Sequence, residues 1–408
     1  MPDSTQHSRR VALAILVAAL GYFVDIYDLI LFSIVRVPSL KALGVPGDEL
    51  LSTGVLLLNM QMTGMLVGGV LWGILGDKKG RLSVLFGSIL MYSVANIANG
   101  LVTSVPAYAV LRLLAGIGLA GELGAGVTLV SEIMSKEGRG YGTMLVAGVG
   151  IFGAVVGALV GDWFDWRIAY YVGGAMGLCL LVLRVGVYES GVFVEVARSN
   201  VRRGNFLGLF TSARRLRKYL SVILIGVPCW YVVAILVTFA PEFGQAMGMT
   251  VVPVAGRAVM FAYIGIALGG FLSGALSQLL HTRKKVVLAS LWSVAGTVTL
   301  YFFVARISPE VYYGMCLLMG LACGYWAVFV TMAAEQFGTN IRATVATTAP
   351  NFVRGAVVPM TSAFQVGRAY LGTQGSGIAV GVVAIVIALV ALRNLDETYG
   401  KDLNYVDE

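Results

Sequence analysis

The sequence predicts an all-α membrane protein: twelve transmembrane helices in two six-helix halves of the same topology. Three observations lead there. Of 408 residues, 58% are hydrophobic and only 12% are charged, at a mean hydropathy of +0.84, which leaves too little polar surface for a soluble protein of this size. Apolar runs of about 20 residues, long enough to cross a bilayer as helices, recur along the whole chain. One run, Gly64-Met-Leu-Val-Gly-Gly-Val-Leu-Trp-Gly, returns 201 residues later as Gly265-Ile-Ala-Leu-Gly-Gly-Phe-Leu-Ser-Gly.

The first six spans are read at approximately 11–35, 51–76, 82–102, 106–131, 143–162 and 167–187. The second six follow at approximately 219–240, 257–280, 286–305, 311–333, 345–366 and 375–393. The opening run is too long for a signal-peptide core and lacks a cleavage pattern, so it stays as the first helix. In the second span and its echo, the eighth, the matched glycines let backbones approach closely, which drives helix association in lipid. The rows Gly116, Gly118, Gly121, Gly124 and Gly148, Gly153, Gly157, Gly161 give the fourth and fifth spans the same smooth surface. The fourth span matches the tenth at an offset of 203, Ser131-Glu132 with Ala334-Glu335 and Arg139 with Arg342. The halves are therefore 1–187 and 219–408, the second with a cytoplasmic tail, joined by a basic linker at 188–218. Parallel repeats about an axis along the membrane normal are one transporter design, with substrate held near the midplane between them.

With the N-terminus inside, 21 of the 29 Lys and Arg residues fall on the inner side, the largest group running from Arg184 through Lys218. Six fall outside, Arg36 and Arg257 among them, and Arg112 and Arg354 lie within spans. The positive-inside rule then sets both termini in the cytoplasm of a multi-pass cell-membrane protein, read as one of a bacterial inner membrane. The net charge of +8 is a topology signal with some attraction to anionic lipid, and no nucleic-acid partner is expected. Cys179, Cys229, Cys316 and Cys323 all stand in apolar runs and read as packing residues.

Between the second and third spans the chain reads Gly73-Ile-Leu-Gly-Asp77-Lys-Lys-Gly80-Arg81. This charged spacing resembles the G-x-x-x-D-[RK]-x-G-R loop signature of the major facilitator superfamily, departing only at Leu82, where a second basic residue is common. The resemblance extends over nearly the whole chain. Asp162-Trp-Phe-Asp-Trp166-Arg167, Glu189-Ser190-Gly191-Val-Phe193 and Asp396-Glu397-Thr398-Tyr-Gly400 are similar to motifs of its proton-symporter branch, which contains sugar porters and metabolite:proton symporters. Gly191 replaces the usual proline. Arg112-Leu-Leu-Ala-Gly116-Ile-Gly118-Leu-Ala-Gly121-Glu122-Leu-Gly124 resembles the fourth-helix signature of the same branch. The resemblance implies alternating access, with Gly73, Asp77, Gly80 and Arg81 as a cytoplasmic latch that holds the outward-facing state. The fifth span lacks the Gly-Pro pair of many drug/proton antiporters.

Charges inside the spans mark the candidate site, because an intramembrane carboxylate is costly unless it faces a cavity or a partner. The first span holds Asp25 and Asp28, three residues apart and so on one helix face. Such a pair can bind and release a proton. At 1.5 Å per residue, Asp28 lies about 7 Å and Arg112 about 9 Å outward of the midplane. In the sugar/proton symporters that this chain resembles, a first-helix aspartate and a fourth-helix arginine couple protonation to transport, which implies Asp25 or Asp28 with Arg112. Glu122, deeper in the fourth span, serves as a second proton carrier, a substrate contact or a hydrogen-bonding partner of a neighbouring helix.

Arg354 stands near the middle of the eleventh span, close to Asn351. No acid in the seventh, eighth, ninth, eleventh or twelfth span matches its depth. Its counter-charge is expected from the other half or from a substrate carboxylate, which a guanidinium grips with paired hydrogen bonds. Asn59 and Gln61 in the second span, Trp230 and Tyr231 in the seventh, and Tyr325 and Trp326 in the tenth complete a pocket of apolar walls and few polar groups.

His7 and His281 are the only histidines and lie outside the spans, so no metal site is expected. No G-x-x-x-x-G-K-[ST] loop appears, so ATP does not drive the cycle, and no acid–base–nucleophile set suggests an enzyme. The expectation is a secondary active transporter with no cofactor beyond a proton gradient, working as a monomer, its partners a small-molecule substrate, protons and membrane lipids. The favoured reading is a proton-coupled symporter importing a small polar metabolite, an organic acid or amino acid. A sugar/proton symporter is the rival, followed by proton-driven efflux of drugs or siderophores. A non-transporting receptor on the same fold is opposed by the intact loop signature and the first-helix acids.

Overall fold

The computed structural model describes residues 4–79, 81–122, 139–189, 209–210 and 212–400, and fourteen α-helices stand among them. The first six are α1 (Ser4–Ala42), α2 (Leu50–Lys79), α3 (Arg81–Asn99), α4 (Val105–Leu119), α5 (Arg139–Trp163) and α6 (Trp166–Glu189). Then come α7 (Ala213–Tyr231), the short α8 (Ala240–Ala246), α9 (Ala255–Leu279) and α10 (Lys284–Val304). The last are α11 (Pro309–Cys323), α12 (Trp326–Glu335), α13 (Thr339–Gly355) and α14 (Val357–Arg393). Among the described residues eight stretches are long and apolar enough to cross a membrane, and the last of them, at 50 residues, has length for two passes.

Helix count and span count differ because several spans are broken. The tenth span divides at Gly324 into α11 and α12. The eleventh begins as α13 and continues into α14, where Gly372 at φ 67° turns the chain into the twelfth. Only Gly adopts that backbone conformation without a steric penalty. In α7, Pro228 removes one amide donor, and the helix widens into a π segment at Val232–Val237. The sequence extends the fourth span to residue 131, and the part of it beyond Glu122 lies outside the described residues.

The duplicated glycines perform the same packing twice. On α2, a Cβ at Gly64 or Gly68 would collide with the Leu113 or Ile117 carbonyl of α4. On α9, a Cβ at Gly265 or Gly269 would collide with the Leu317 or Leu321 carbonyl of α11. The facing helices reciprocate, Gly116 against the Gln61 carbonyl and Gly320 against the Ala262 carbonyl. Gly73 and Gly274 are also matched by the repeat, yet nothing lies within 4 Å of a Cβ at either.

The first six helices meet the later ones where α5 packs on α9 and α2 packs on α13 and α14. At the end of α1 that the charge distribution assigns to the outside, polar groups close this meeting. Arg36, expected on the outer surface, is fully buried instead. Its Nη1 lies 2.7 Å from Glu242 Oε1 and donates to the Leu50 carbonyl at 3.2 Å, and its Nη2 lies 2.7 Å from Glu242 Oε2. The guanidinium also stacks on Phe239 at 4.7 Å. Thr238 donates to Ser33 Oγ at 2.9 Å, and the exposed pair Asp162–Arg257 joins α5 to α9 at 3.7 Å. The chain after the apolar run is helical to Ala42, which carries Arg36 into contact with α8 rather than into water.

At the opposite end, Glu397 accepts hydrogen bonds from Thr282 Oγ1 and from the N–H groups of Arg283 (2.9 Å) and Lys284 (3.1 Å), where α10 begins. Burial alone would raise its pKa. Hydrogen bonds from Thr282 and from the N–H groups of Arg283, Tyr399 and Lys284 outweigh that and bring it down to about 2. Arg283 grips Glu335 at 2.6 and 2.9 Å, and Thr398 Oγ1 donates to the same carboxylate at 2.8 Å. The Asp396–Gly400 segment thus ties the start of α10 to the end of α12.

Two outcomes follow from this packing. Gly64→Ala and Gly269→Ala should each lower the thermal unfolding midpoint in detergent, at the overpacking cost of about 1–3 kcal/mol, while Gly73→Ala and Gly274→Ala leave it in place. Equal shifts at all four positions would refute the shared packing. Glu242→Gln should loosen the outer closure. A cysteine at Ile34, which packs against Gly256, should then react with a hydrophilic maleimide about tenfold faster in solubilised protein, and an unchanged rate would deny Arg36–Glu242 that role.

Candidate functional site

Gly21, Asp25 and Asp28 recur along α1 at helical spacing and share its inward face. Each lies near an arginine from a different helix. Asp25, Asp28 and Arg112 are 0% exposed, and Arg354, Glu122 and Arg184 at most 4%, so every one of these charges must be compensated within the protein.

Asp28 lies in the field of Arg112, with the Asn96 amide beside it. A side chain on Gly173 of α6 would collide with its carboxylate, so the glycine makes the space that the acid fills. Arg112 donates to Gln61 Oε1 and, at 3.5 Å, to the Tyr170 hydroxyl, and its guanidinium lies 5.2 Å from the Phe32 ring centre. Gln61 in turn donates to the Leu29 carbonyl at 3.0 Å. The Tyr170 and Tyr108 hydroxyls are 2.6 Å apart, Tyr108 donates to Ser39 at 3.4 Å, and Ser39 donates to the Arg36 carbonyl at 3.0 Å. Of the two aspartates left open as the partner of Arg112, the structure puts Asp28 beside it.

Glu122 pairs with Arg184, whose Nη1 donates to Oε2 at 3.1 Å and whose Nη2 donates to Oε1. Gly21 supplies the room, since a Cβ there would collide with both groups. The sequence reading counts Arg184, near the end of the sixth span, among the basic residues of the inner side. The structure corrects this: α6 runs on to Glu189, and Arg184 is buried and held within the bundle by Glu122. Its position inside an apolar stretch, more than a turn before the helix end, was the available signal.

Asp25 lies within electrostatic range of Arg354 on α13 and of Glu122. An acid of α1, in the other helix set, thus lies in the field of Arg354. The two do not touch: among the described residues Arg354 has no ion pair within 4.0 Å, and neither oxygen of Asp25 has a hydrogen-bond partner. Arg354 Nη1 donates to Asn351 Oδ1 at 3.4 Å, and the guanidinium lies 5.6 Å from the Trp230 ring centre. Asn351 donates to the Ala120 carbonyl at 3.0 Å, which fastens α13 to the end of α4. Trp230 meets Trp326 edge to face at 6.4 Å. Tyr22 and Tyr263, not foreseen from the sequence, also lie in the fields of Arg354 and Asp25.

The remaining candidates are placed elsewhere. Tyr231 donates to the Gly377 carbonyl at 2.8 Å and Tyr325 to the Ile225 carbonyl at 2.8 Å, so both hydroxyls are already committed to backbone. Asn59 accepts from Thr361 at 2.6 Å, between α2 and α14. Of the loop signature, Gly73 stands in open space, while Gly80 and the side chains of Asp77 and Arg81 lie outside the described residues. No cluster of three His, Cys, Asp or Glu that could hold a metal occurs among the described residues.

Residues 18–359 match the Major Facilitator Superfamily, and the chain belongs to it. It is 25% identical to the "Probable 4-methylmuconolactone transporter" of Cupriavidus pinatubonensis over 95% of this chain and 91% of that protein. It is 26% identical to the niacin transporter of Acinetobacter baylyi over 70% of this chain and 72% of that one. It is 28% identical to the 3-(3-hydroxy-phenyl)propionate transporter of Escherichia coli over 69% of each. Its fold is that of a D-xylose–proton symporter crystal structure, with a TM-score of 0.71 at 17% identity, covering 96% of this chain and 100% of that one. The protein is therefore a multi-pass secondary transporter of a small molecule, and not an enzyme.

Proposed function

We propose that this major facilitator superfamily member imports a small ring-bearing carboxylate together with a proton. One observation carries the reading: a fully buried arginine, Arg354, stands between the two helix sets with no acid in contact among the described residues, laid against Trp230 and in the field of Asp25 on α1. An anion is the complement such a group lacks, and a carboxylate matches the guanidinium fork. Trp230 and Trp326 offer aromatic walls, and a ring that enters against them leaves water at a gain of about 25 cal/mol per Å² buried. The relatives named for niacin and for 3-(3-hydroxy-phenyl)propionate support the same substrate class.

Asp28 with Arg112 supplies the proton step. Protonation of Asp28 removes the negative charge beside Arg112 and frees the guanidinium to rearrange with Gln61 and Tyr170, so proton and conformational cycles are linked through one pair. Glu122, held by Arg184, stands nearest the inner face of the three acids. We place both termini in the cytoplasm of a bacterial inner membrane, with 1–187 and 219–408 as the two bodies that rock about the site. Asp77 and Arg81 latch their inner ends. A sugar substrate would leave the Arg354 charge without its complement, which favours the acid.

The test is uptake of a labelled aromatic carboxylate into proteoliposomes with and without an inward proton gradient. Arg354→Gln should raise the half-saturation concentration about a hundredfold, and Arg354→Lys less, because the charge survives without the fork. Asp28→Asn should abolish accumulation against a gradient but leave exchange of pre-loaded substrate running, because exchange needs no net proton release. An uncharged sugar as the transported species, or normal accumulation by Asp28→Asn, would overturn the reading.

A further inference from the structure

The two α1 acids differ in what surrounds them. Asp28 sits among groups of its own helix set: Arg112, Asn96 and the space left by Gly173. Asp25, one turn nearer the centre, looks across to Arg354 of the other set. Both Asp25 oxygens are sealed from solvent, and among the described residues no donor reaches either of them. The other acid near it, Glu122, is already held by Arg184 and offers no hydrogen-bond donor. Arg354 keeps its Nε free as well, with only Asn351 on Nη1. A cation and an anion thus face each other across the meeting of the two halves, each short of a partner.

We propose that the substrate carries a hydrogen-bond donor besides its carboxylate, and that Asp25 receives this donor while Arg354 receives the acid. This rests on the reading of Arg354 as the carboxylate site. The electrostatic reason is specific. A bound carboxylate engages the cation that faces Asp25, so the Asp25 carboxyl, which no donor of the described residues reaches, must then take up a proton or accept a hydrogen bond from the substrate. A hydroxyl or an ammonium group on the substrate supplies that hydrogen bond without uptake of a proton, and the ammonium also restores the positive charge. Asp25 is then a specificity-determining residue, and Asp28 alone serves the proton step. Tyr22 and Tyr263 lie in the fields of both groups.

The experiment compares binding of 3-phenylpropionate, 3-(3-hydroxyphenyl)propionate and 3-(3-aminomethylphenyl)propionate to the purified full chain by tryptophan fluorescence. Wild type should bind at least one donor-bearing acid about tenfold to a hundredfold tighter than 3-phenylpropionate, the scale of one hydrogen bond to a charged group. The hydroxyl and ammonium arms tell which donor is read. Asp25→Ala and Asp25→Val should abolish that preference while Arg354→Gln weakens all three acids alike. Because each preference is a ratio within one variant, loss of folded protein does not mimic it, and Gly274→Ala, where a Cβ meets nothing within 4 Å, supplies a control that should keep the ratio. Equal binding of the three acids to wild type, or a preference that survives at Asp25, overturns the role of Asp25. Binding indifferent to Arg354→Gln, or no binding of any acid, overturns the carboxylate site itself.

Discussion

A charge that cannot reach water must find its complement inside the protein, and three arginines under that constraint organise this molecule. Arg112, Arg184 and Arg354 come from α4, α6 and α13, and each faces an acid on or against the inward face of α1. They are not equivalent. Arg184 and Glu122 form a closed pair that needs nothing further. Arg112 and Asp28 share a pocket without an ion pair, with Gln61 and Tyr170 taking the guanidinium hydrogens. Arg354 and Asp25 face each other unsatisfied. The gradation runs from a direct ion pair, through an arginine held by neutral acceptors beside an acid, to two charges with no contact between them.

Close backbone approach makes those neighbourhoods possible. Gly21, Gly173 and Gly69 stand where a Cβ would meet Glu122 and Arg184, Asp28, and Asn351 respectively. The glycine faces of α2 and α9 hold their partners at backbone contact, so the polar side chains between them are positioned by rigid elements. On the α5–α9 contact, a Cβ at Gly148 would meet the Phe271 ring at 3.2 Å. Helices that pack through glycine can slide past one another at small steric cost.

A continuous line of hydroxyls links the Asp28 pocket to the outer closure. It runs from Arg112 through Tyr170, Tyr108 and Ser39 to the backbone of Arg36, whose side chain holds Glu242. The physical content is positional. A change in where Arg112 points removes a donor from the Tyr170 hydroxyl, and the next two hydroxyls must reorient.

Much of the fold was legible because membrane physics writes itself into composition. Runs of apolar residues, the asymmetry of Lys and Arg, and the glycines repeated at Gly64 and Gly265 determined the spans and the paired packing, and the loop and tail motifs led to the superfamily that the comparison bears out. The cost of burying charge also singled out Asp25, Asp28, Arg112, Glu122 and Arg354 one by one. Their pairing was not legible, since depth along a helix is readable from residue number but rotation and neighbour are not. Only the tertiary structure set Arg112 beside Asp28, brought Asp25 opposite Arg354, and drew Arg184 and Arg36 from expected surfaces into contact with Glu122 and Glu242. An arginine near a helix end can reach water or fold inward, and the decision belongs to whichever acid the opposite helix presents.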